Sequence, residues 1–111
     1  MKLVVLTPQE TLLEEQELSK VRVLLADGGS LGIHPGHHPL LAETDSGPVE
    51  YGREEYRDQI GVRAGVLRVE GDRVIIYTSG LTEEEIHSQH AEPDRMEKTI
   101  QELKETLEEG A

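Results

Sequence analysis

Over the first 80 residues, short apolar stretches alternate with clusters of turn-forming residues, and this spacing limits the folds open to the chain. The apolar stretches are residues 3–6, 21–25, 49–51, 59–63, 66–69 and 74–77. Branched aliphatic side chains are frequent in them, and residues 70–73, between the last two, are typical of a hairpin turn. Since no amphipathic helix separates the stretches, they predict an antiparallel β-sandwich or barrel whose strand order the pattern leaves open.

Charge and composition exclude several classes of protein. The chain has 11 Lys and Arg against 23 Asp and Glu, a net charge of −12, which argues against binding to nucleic acid or to anionic lipid. It has no cysteine, which excludes disulfides, Cys-based zinc sites and a Cys nucleophile. No apolar run is long enough to cross a bilayer and no signal peptide is evident, so we expect a soluble protein on the cytoplasmic side.

The charge and the glycine content of the chain change near Gly80. Residues 82–111 contain ten acidic and three basic residues, whereas ten of the eleven glycines come before residue 82. We therefore predict a β-sandwich domain over residues 1–80 and a helical appendage over residues 81–111. Thr82, three residues before Glu85, has the spacing of the N-cap in a capping box.

The appendage carries one narrow apolar stripe after Pro93, a residue that suits the first turn of a helix. The stripe consists of Met96, Ile100, Leu103 and Leu107. Spacings of four, three and four residues predict one main α-helix, which is marginally stable in water by itself. The stripe therefore predicts a contact with the β domain, with a copy of itself or with another chain.

The densest motif is a predicted loop over residues 31–41, with two glycines, two prolines and three histidines. His34, His37 and His38 could supply imidazoles to a metal, which would make a metal hydrolase an alternative function. No carboxylate with ligand spacing accompanies them, so we predict no metal site and no cofactor. No nucleophile elbow or phosphate-binding loop surrounds any serine or threonine, and we predict no catalytic residue. A rigid, exposed loop of this kind commonly carries binding function.

The same loop, Leu-Gly-Ile-His-Pro-Gly-His-His-Pro-Leu-Leu, resembles the signature of the epsilon subunit of F-type ATP synthases, equivalent to the mitochondrial delta subunit. That family reads roughly Leu-Gly-Ile-x-Pro-Gly-His-x-Pro-Leu-Leu at this place. Residues 3–8, 19–23, 46–49 and 62–76 resemble, in order, further segments of the family. The resemblance covers about residues 1–80.

This resemblance implies a flattened antiparallel two-sheet β-sandwich of about ten strands, followed by a C-terminal helical region. It implies a non-catalytic rotor subunit of the central stalk that binds the gamma subunit and the c-ring and couples proton or sodium flow to ATP synthesis and hydrolysis. Its location would be peripheral, at the cytoplasmic face of the cell membrane, with the catalytic alpha and beta subunits as further possible partners. The residues expected to contact the c-ring are Ser30, His34, Pro35, Gly36, His37 and His38.

The sequence departs from the family pattern at three positions, in the charge of its tail and in a shortened C-terminal helical region. Ser30 stands where many members carry an acid, and Ala64 replaces the first glycine of a Gly-Gly pair. Glu97 stands where members that bind ATP carry an arginine, so we expect no nucleotide site. The tail is acidic where an inhibitory arm is basic, which predicts reduced or absent inhibition of hydrolysis. The alternative interpretation is a free-standing β-sandwich that acts as a protein-interaction adaptor.

Overall fold

The computed structural model describes residues 1–86, in which nine strands form two sheets and residues 83–86 form one helical turn. The strands are β1 Lys2–Leu6, β2 Thr11–Glu15, β3 Lys20–Leu24, β4 Ser30–Ile33, β5 Leu40–Thr44, β6 Gly47–Arg53, β7 Tyr56–Val62, β8 Gly65–Glu70 and β9 Arg73–Thr78. The five-stranded sheet has the order β2-β1-β9-β8-β5, and the four-stranded sheet has the order β4-β3-β6-β7. The predicted two-sheet β-sandwich is confirmed, with nine strands in this part of the chain where about ten were expected.

One strand pair departs from the antiparallel arrangement. β1 and β9 run parallel, with Leu3 opposite Val74 and Val5 opposite Ile76, whereas the other named ladders are antiparallel. Parallel neighbours cannot be joined by a tight hairpin, and here about 70 residues of chain separate the two strands. The first and last strands therefore meet at the middle of the five-stranded sheet.

The core lies between the sheets and is filled almost entirely by aliphatic side chains. Alternation along β3 is typical, because Val21 and Val23 are buried while Lys20 and Arg22 point outward. The buried apolar residues that form one cluster are Leu3, Val5, Leu18, Val21, Val23, Ile33, Val49, Tyr51, Ile60, Val62, Leu67, Val69, Val74 and Ile76. Tyr51 is the one aromatic residue in this cluster, so the sandwich is held by branched aliphatic packing.

The turns gather at two opposite ends of the sandwich. One end, the histidine end, holds the connection over residues 34–39, the hairpin turn over 53–56 and the turn at Gly71 and Asp72. The segment between β2 and β3 joins the sheets there, because the Leu18 amide donates to the Met1 carbonyl at 2.8 Å and the Ser19 amide donates to the Gly52 carbonyl at 2.9 Å. The chain leaves the last strand at the other end, where Leu81 bridges to Val62.

The helical turn begins at Thr82, as the capping pattern predicts. The Glu85 amide donates to the Thr82 hydroxyl at 3.2 Å, while the Glu85 carboxylate accepts the amide of Gly61 at 2.8 Å. The Thr82 amide donates to the Gly61 carbonyl at 3.1 Å. A Cβ added to Gly61 would lie 2.6 Å from the Thr82 hydroxyl oxygen, so this glycine lets the turn rest on β7.

The apolar stripe of Met96, Ile100, Leu103 and Leu107 lies outside the described residues, as does the predicted main helix. The division into two domains at Gly80 likewise stays a prediction.

Ala64 is free of strain, since Glu17 alone among the described non-glycine residues has a positive φ. Replacement of the first glycine of the Gly-Gly pair is therefore compatible with the backbone at that position.

A strand glycine tests the packing of β8 on β9. A Cβ added to Gly65 would clash with the Tyr77 carbonyl oxygen, so we expect Gly65→Ala to lower the free energy of unfolding by about 3 kcal/mol. The matched control is Gly32→Ala, because a Cβ there meets only the Lys20 Cε at 3.9 Å and is expected to change stability by less than about 0.5 kcal/mol. Urea unfolding measures both, and equal midpoints for the two variants would contradict this account.

Candidate partner-binding surfaces

The histidine loop passes from one sheet to the other between Ile33, the last residue of β4, and Leu40, the first residue of β5. It is shorter than the predicted loop over residues 31–41, because both flanks of that segment pair in strands. The His37 amide donates to the His34 carbonyl at 3.1 Å, and Gly36 has a φ of 89°. A positive φ is unfavourable for residues that have a Cβ atom, which explains the glycine at this position of the turn.

The histidine side chains of this loop have different environments. His34 and His38 are exposed, as are Pro35 and Gly36, whereas His37 is half-buried. The Nδ1 atom of His37 lies 2.8 Å from the His38 carbonyl oxygen. Because a carbonyl can only accept, Nδ1 carries a proton and Nε2 is the free acceptor in the neutral ring. Within residues 1–86, no group of three His, Cys, Asp or Glu side chains is placed to hold a metal ion.

Ser30 is set apart from the other predicted contact residues. It lies at the first position of β4, opposite Leu24, and is therefore about 10 Å of strand away from the loop. The guanidinium of Arg22 donates to the Ser30 hydroxyl at 3.5 Å. An acid at this position would stand beside Arg22, so the serine leaves that cation without a carboxylate neighbour on β4.

Tyr56 and Arg53 extend the histidine end and were missed by sequence reasoning. The Arg53 guanidinium lies 5.1 Å from the centre of the Tyr56 ring, a cation–π distance, and donates to the Gln16 carbonyl at 2.8 Å. Tyr56 packs against Tyr51 with ring centres 6.5 Å apart. The signal that could have found them is a tyrosine and an arginine on either side of the acidic pair at the tip of a hairpin.

Tyr51 is the ionisable group most altered by the fold. Burial raises the pKa of its phenol well above the usual range, and the negative charge of Asp58 adds to this effect. Tyr56 donates to the Asp58 carboxylate at 3.3 Å, and partial burial together with that carboxylate raises the pKa of Tyr56 as well. Both phenols therefore stay protonated at neutral pH and act as neutral groups.

A second surface, the apolar face, lies on the outer side of the five-stranded sheet, where the charged residues Glu14, Glu43 and Arg68 border it. It consists of Val4, Leu6, Leu41, Val66, Ile75 and Tyr77. Tyr77 lies between Leu6 and Val66 in one row and is 41% exposed, while Leu41 on the edge strand is 69% exposed. Sequence reasoning did not select these residues. The signal was the uninterrupted apolar run over residues 74–77, which indicates a strand with two apolar faces.

Residues 1–84 match the family model described as "ATP synthase, Delta/Epsilon chain, beta-sandwich domain". The chain belongs to this family. The resemblance inferred from the loop signature is thereby confirmed.

Two relatives are epsilon chains of bacterial ATP synthases. The chain is 38% identical over 72 residues to ATP synthase epsilon chain 2 of Cereibacter sphaeroides, a match that covers 64% of this chain and 49% of the relative. It is 34% identical over 77 residues to the ATP synthase epsilon chain of Carboxydothermus hydrogenoformans, covering 68% of this chain and 54% of the relative. The matched region thus spans about half the length of these relatives.

Solved structures share the fold. A chain in the mitochondrial ATP synthase of Euglena gracilis, in a structure of OSCP, F1 and c-ring, superposes with a TM-score of 0.65 at 20% identity and covers 85% of this chain and 62% of that chain. A chain in the central stalk and c-ring structure of the Tetrahymena thermophila mitochondrial ATP synthase gives a TM-score of 0.60 at 17% identity, covering 74% and 65%. No helix in residues 1–86 has the length and apolarity to cross a membrane.

The raised pKa of Tyr51 has a consequence for stability at high pH. In the unfolded chain a tyrosine ionises near pH 10, whereas folded Tyr51 retains its proton above that value. Its contribution to stability is complete below about pH 10 and is lost as the pH rises further, because only the unfolded state then releases the proton. The free energy of unfolding can be measured with urea at about pH 9 and at about pH 11. Between these two pH values it should fall by about 1 kcal/mol less in Tyr51→Phe than in the wild type.

The control for this measurement is Tyr77→Phe, which removes a hydroxyl from an exposed tyrosine of the same sandwich. The difference between the two variants isolates the effect of burying the Tyr51 phenol. An identical loss of stability in the wild type and Tyr51→Phe would show that Tyr51 ionises as readily in the folded protein as in the unfolded chain.

Proposed function

We propose that this chain is a rotor subunit of the central stalk of an F-type ATP synthase, which binds the gamma subunit and the c-ring and couples ion flow to ATP synthesis and hydrolysis. The observation that carries the proposal is the family match across residues 1–84, which includes the histidine loop. In this role the chain supplies surfaces and no catalytic group. Its location is peripheral, at the cytoplasmic face of the membrane, through protein contacts.

The apolar face suits the gamma subunit. A rotor subunit must be held firmly while torque passes through it, and burial of apolar area gives the largest favourable contribution to such an interface. Tyr77 and Val66 stand side by side in one row of the apolar face, and tyrosine is frequent among the energetically dominant residues of interfaces. Their exposure to water in the isolated chain is unfavourable unless a partner covers them.

The histidine loop suits the polar surface of the c-ring. The bond between the His37 ring and the His38 carbonyl, together with the turn at Gly36, holds the loop in one shape before any partner arrives. A preorganised loop loses little conformational entropy on binding. The exposed contact residues of the loop are His34, Pro35, Gly36 and His38, with half-buried His37 as the residue that shapes it. Ser30 would contact the ring only if the interface extends along β4.

The tail is proposed to lack a strong inhibitory function. Residues 87–111 contain seven acidic and three basic residues, so they lack the basic charge that an inhibitory arm of the family carries. Deletion of residues 92–111 is expected to leave the ATPase rate of the reconstituted complex unchanged within about twofold, because no opposite charge holds the tail in an inhibitory position. A large activation on deletion would overturn this part of the proposal.

Co-purification with the cognate gamma subunit tests the apolar face. Tyr77→Asp places a charge among apolar neighbours, and we expect about 100-fold weaker binding to gamma because that charge would be buried without a partner. Gln59→Asp adds the same charge at an exposed position on the outer face of the four-stranded sheet, opposite the apolar face, and serves as the control. Failure of the wild-type chain to bind gamma at all would favour a free-standing adaptor.

The loop is tested in the complex with gamma and the c-ring. His37→Ala removes the hydrogen bond from the His37 ring to the His38 carbonyl. His34→Asp replaces the imidazole of an exposed contact residue by a negatively charged carboxylate. Both variants should bind gamma as the wild type does and lose c-ring binding by about tenfold, measured by pull-down in detergent. Undiminished binding of both variants to the c-ring would place the ring contact elsewhere on the sandwich.

A further inference from the structure

The main chain of β4, an edge strand of the four-stranded sheet, is open to solvent on one side. The Leu25 amide donates to the Gly29 carbonyl at 2.8 Å, so hydrogen bonds between β3 and β4 join residues 23 with 31 and 21 with 33. The amides and carbonyls of Ser30 and Gly32 therefore point away from β3. Both residues are exposed, and within residues 1–86 no other main-chain group bonds to theirs.

The other three sheet edges are partly covered or acidic. On β7 the Gly61 carbonyl accepts the Thr82 amide at 3.1 Å, and on β5 the Glu43 carbonyl accepts the Ala26 amide at 3.0 Å. β2 ends in two glutamates, at positions 14 and 15. An exposed edge without such protection is a template on which a further strand can pair. In the part of the chain that the structure describes, the edge of β4 is the one that fits this description.

Two cations of β3 lean across the outer face towards this edge. The Arg22 guanidinium donates to the Ser30 hydroxyl at 3.5 Å, although the residue opposite Arg22 on β6 is Glu50. A Cβ added to Gly32 would lie 3.9 Å from the Lys20 Cε. Both cations are exposed, and neither forms an ion pair with another residue of the described range. The small side chains of β4 at positions 30 and 32 leave the space that the two cations occupy.

We propose that the edge of β4 binds an extended segment of another protein, which adds as a fifth strand and carries acidic side chains at alternate positions. Such a strand would lie about 4.8 Å from β4 and bond to the outward amides and carbonyls of Ser30 and Gly32. Its alternate side chains would stand on the outer face beside these two residues, where carboxylates meet Arg22 and Lys20. β3 and β4 contain no acidic residue to oppose them.

Charge favours an acidic partner over a second copy of this chain. Antiparallel pairing of two β4 strands would make Lys20 and Arg22 of both copies lean towards each other on one face, and like charges there are unfavourable. The edge belongs to the four-stranded sheet, whereas the apolar face belongs to the other sheet. The inference therefore goes beyond the proposed function and does not depend on it.

Amide exchange in the full chain tests the edge. The probe is the heptapeptide Thr-Glu-Val-Glu-Val-Glu-Thr with blocked termini, and its matched control has glutamine in place of each glutamate. In 15N-labelled protein the acidic peptide should slow solvent exchange of the Ser30 and Gly32 amides at least about fivefold, because they become donors to the added strand. The Leu31 and Ile33 amides already donate to β3 and should change by less than about twofold. The glutamine peptide should bind about tenfold more weakly.

Two variants at one position separate strand addition from simple charge attraction. Gly32→Pro removes an outward amide without taking a hydrogen bond from the ladder, and it should weaken binding of the acidic peptide about tenfold. Gly32→Ala keeps that amide and should bind as the wild type does, within about twofold. R22Q should weaken binding of the acidic peptide about fivefold and leave binding of the glutamine peptide unchanged. R68Q removes a cation from the other sheet and should change neither.

Four results would overturn the proposal. The first is that neither peptide binds, or that the acidic peptide protects amides elsewhere, such as those of Arg57 and Gln59 on β7, and not those of Ser30 and Gly32. The second is equal binding of the two peptides, and the third is equal binding by Gly32→Pro and Gly32→Ala. The fourth is protection of the β4 amides that rises with protein concentration alone, which would assign the edge to a second copy. R22Q and the peptide pair decide the question even if Gly32→Pro does not fold.

Discussion

The parallel pairing of β1 with β9 is the contact on which the rest of the structure depends. It places Leu3 and Val5 beside Val74 and Ile76, four core residues that are all fully buried. It also joins the first strand to the last, so the five-stranded sheet is complete only when the chain has been made as far as Thr78. Closing a loop of this length costs conformational entropy, which the burial of these four side chains must offset.

Once the sheets are closed, strict alternation along the strands gives the sandwich two outer faces of different chemistry. On the five-stranded sheet the outward positions hold the exposed apolar residues Tyr77, Val66 and Leu41, and the charged residues beside them form ion pairs such as Arg68–Glu70. On the four-stranded sheet the outward positions hold Lys20, Arg22 and Arg57 together with Glu50, so cations outnumber acids on this face although the whole chain is acidic. Two surfaces of unlike character on opposite sides suit a subunit that has more than one partner.

Sequence reasoning found the strands whose apolar residues are dense and missed three of the four strands that lie at sheet edges. β2 has only Leu12 and Leu13 as apolar residues, both half-buried, because an edge strand covers the core from one side only. β4 and β5 were hidden within the Gly- and Pro-rich segment over residues 31–41. Only pairing with β3 and β8 shows that its flanks are strands and that the loop proper is six residues long.

The sequence by itself determined the alternation that builds two half-buried sheets, the N-cap at Thr82, and a loop signature specific enough to identify the family. These features are local, since each depends on the types and spacing of residues within about a dozen positions. The tertiary structure alone decided that Lys20, Gly52 and Arg57 form one row and that Ser30 lies apart from the histidine loop. Such neighbours are set by the register between strands distant in sequence, which depends on how the two faces pack and not on any local pattern.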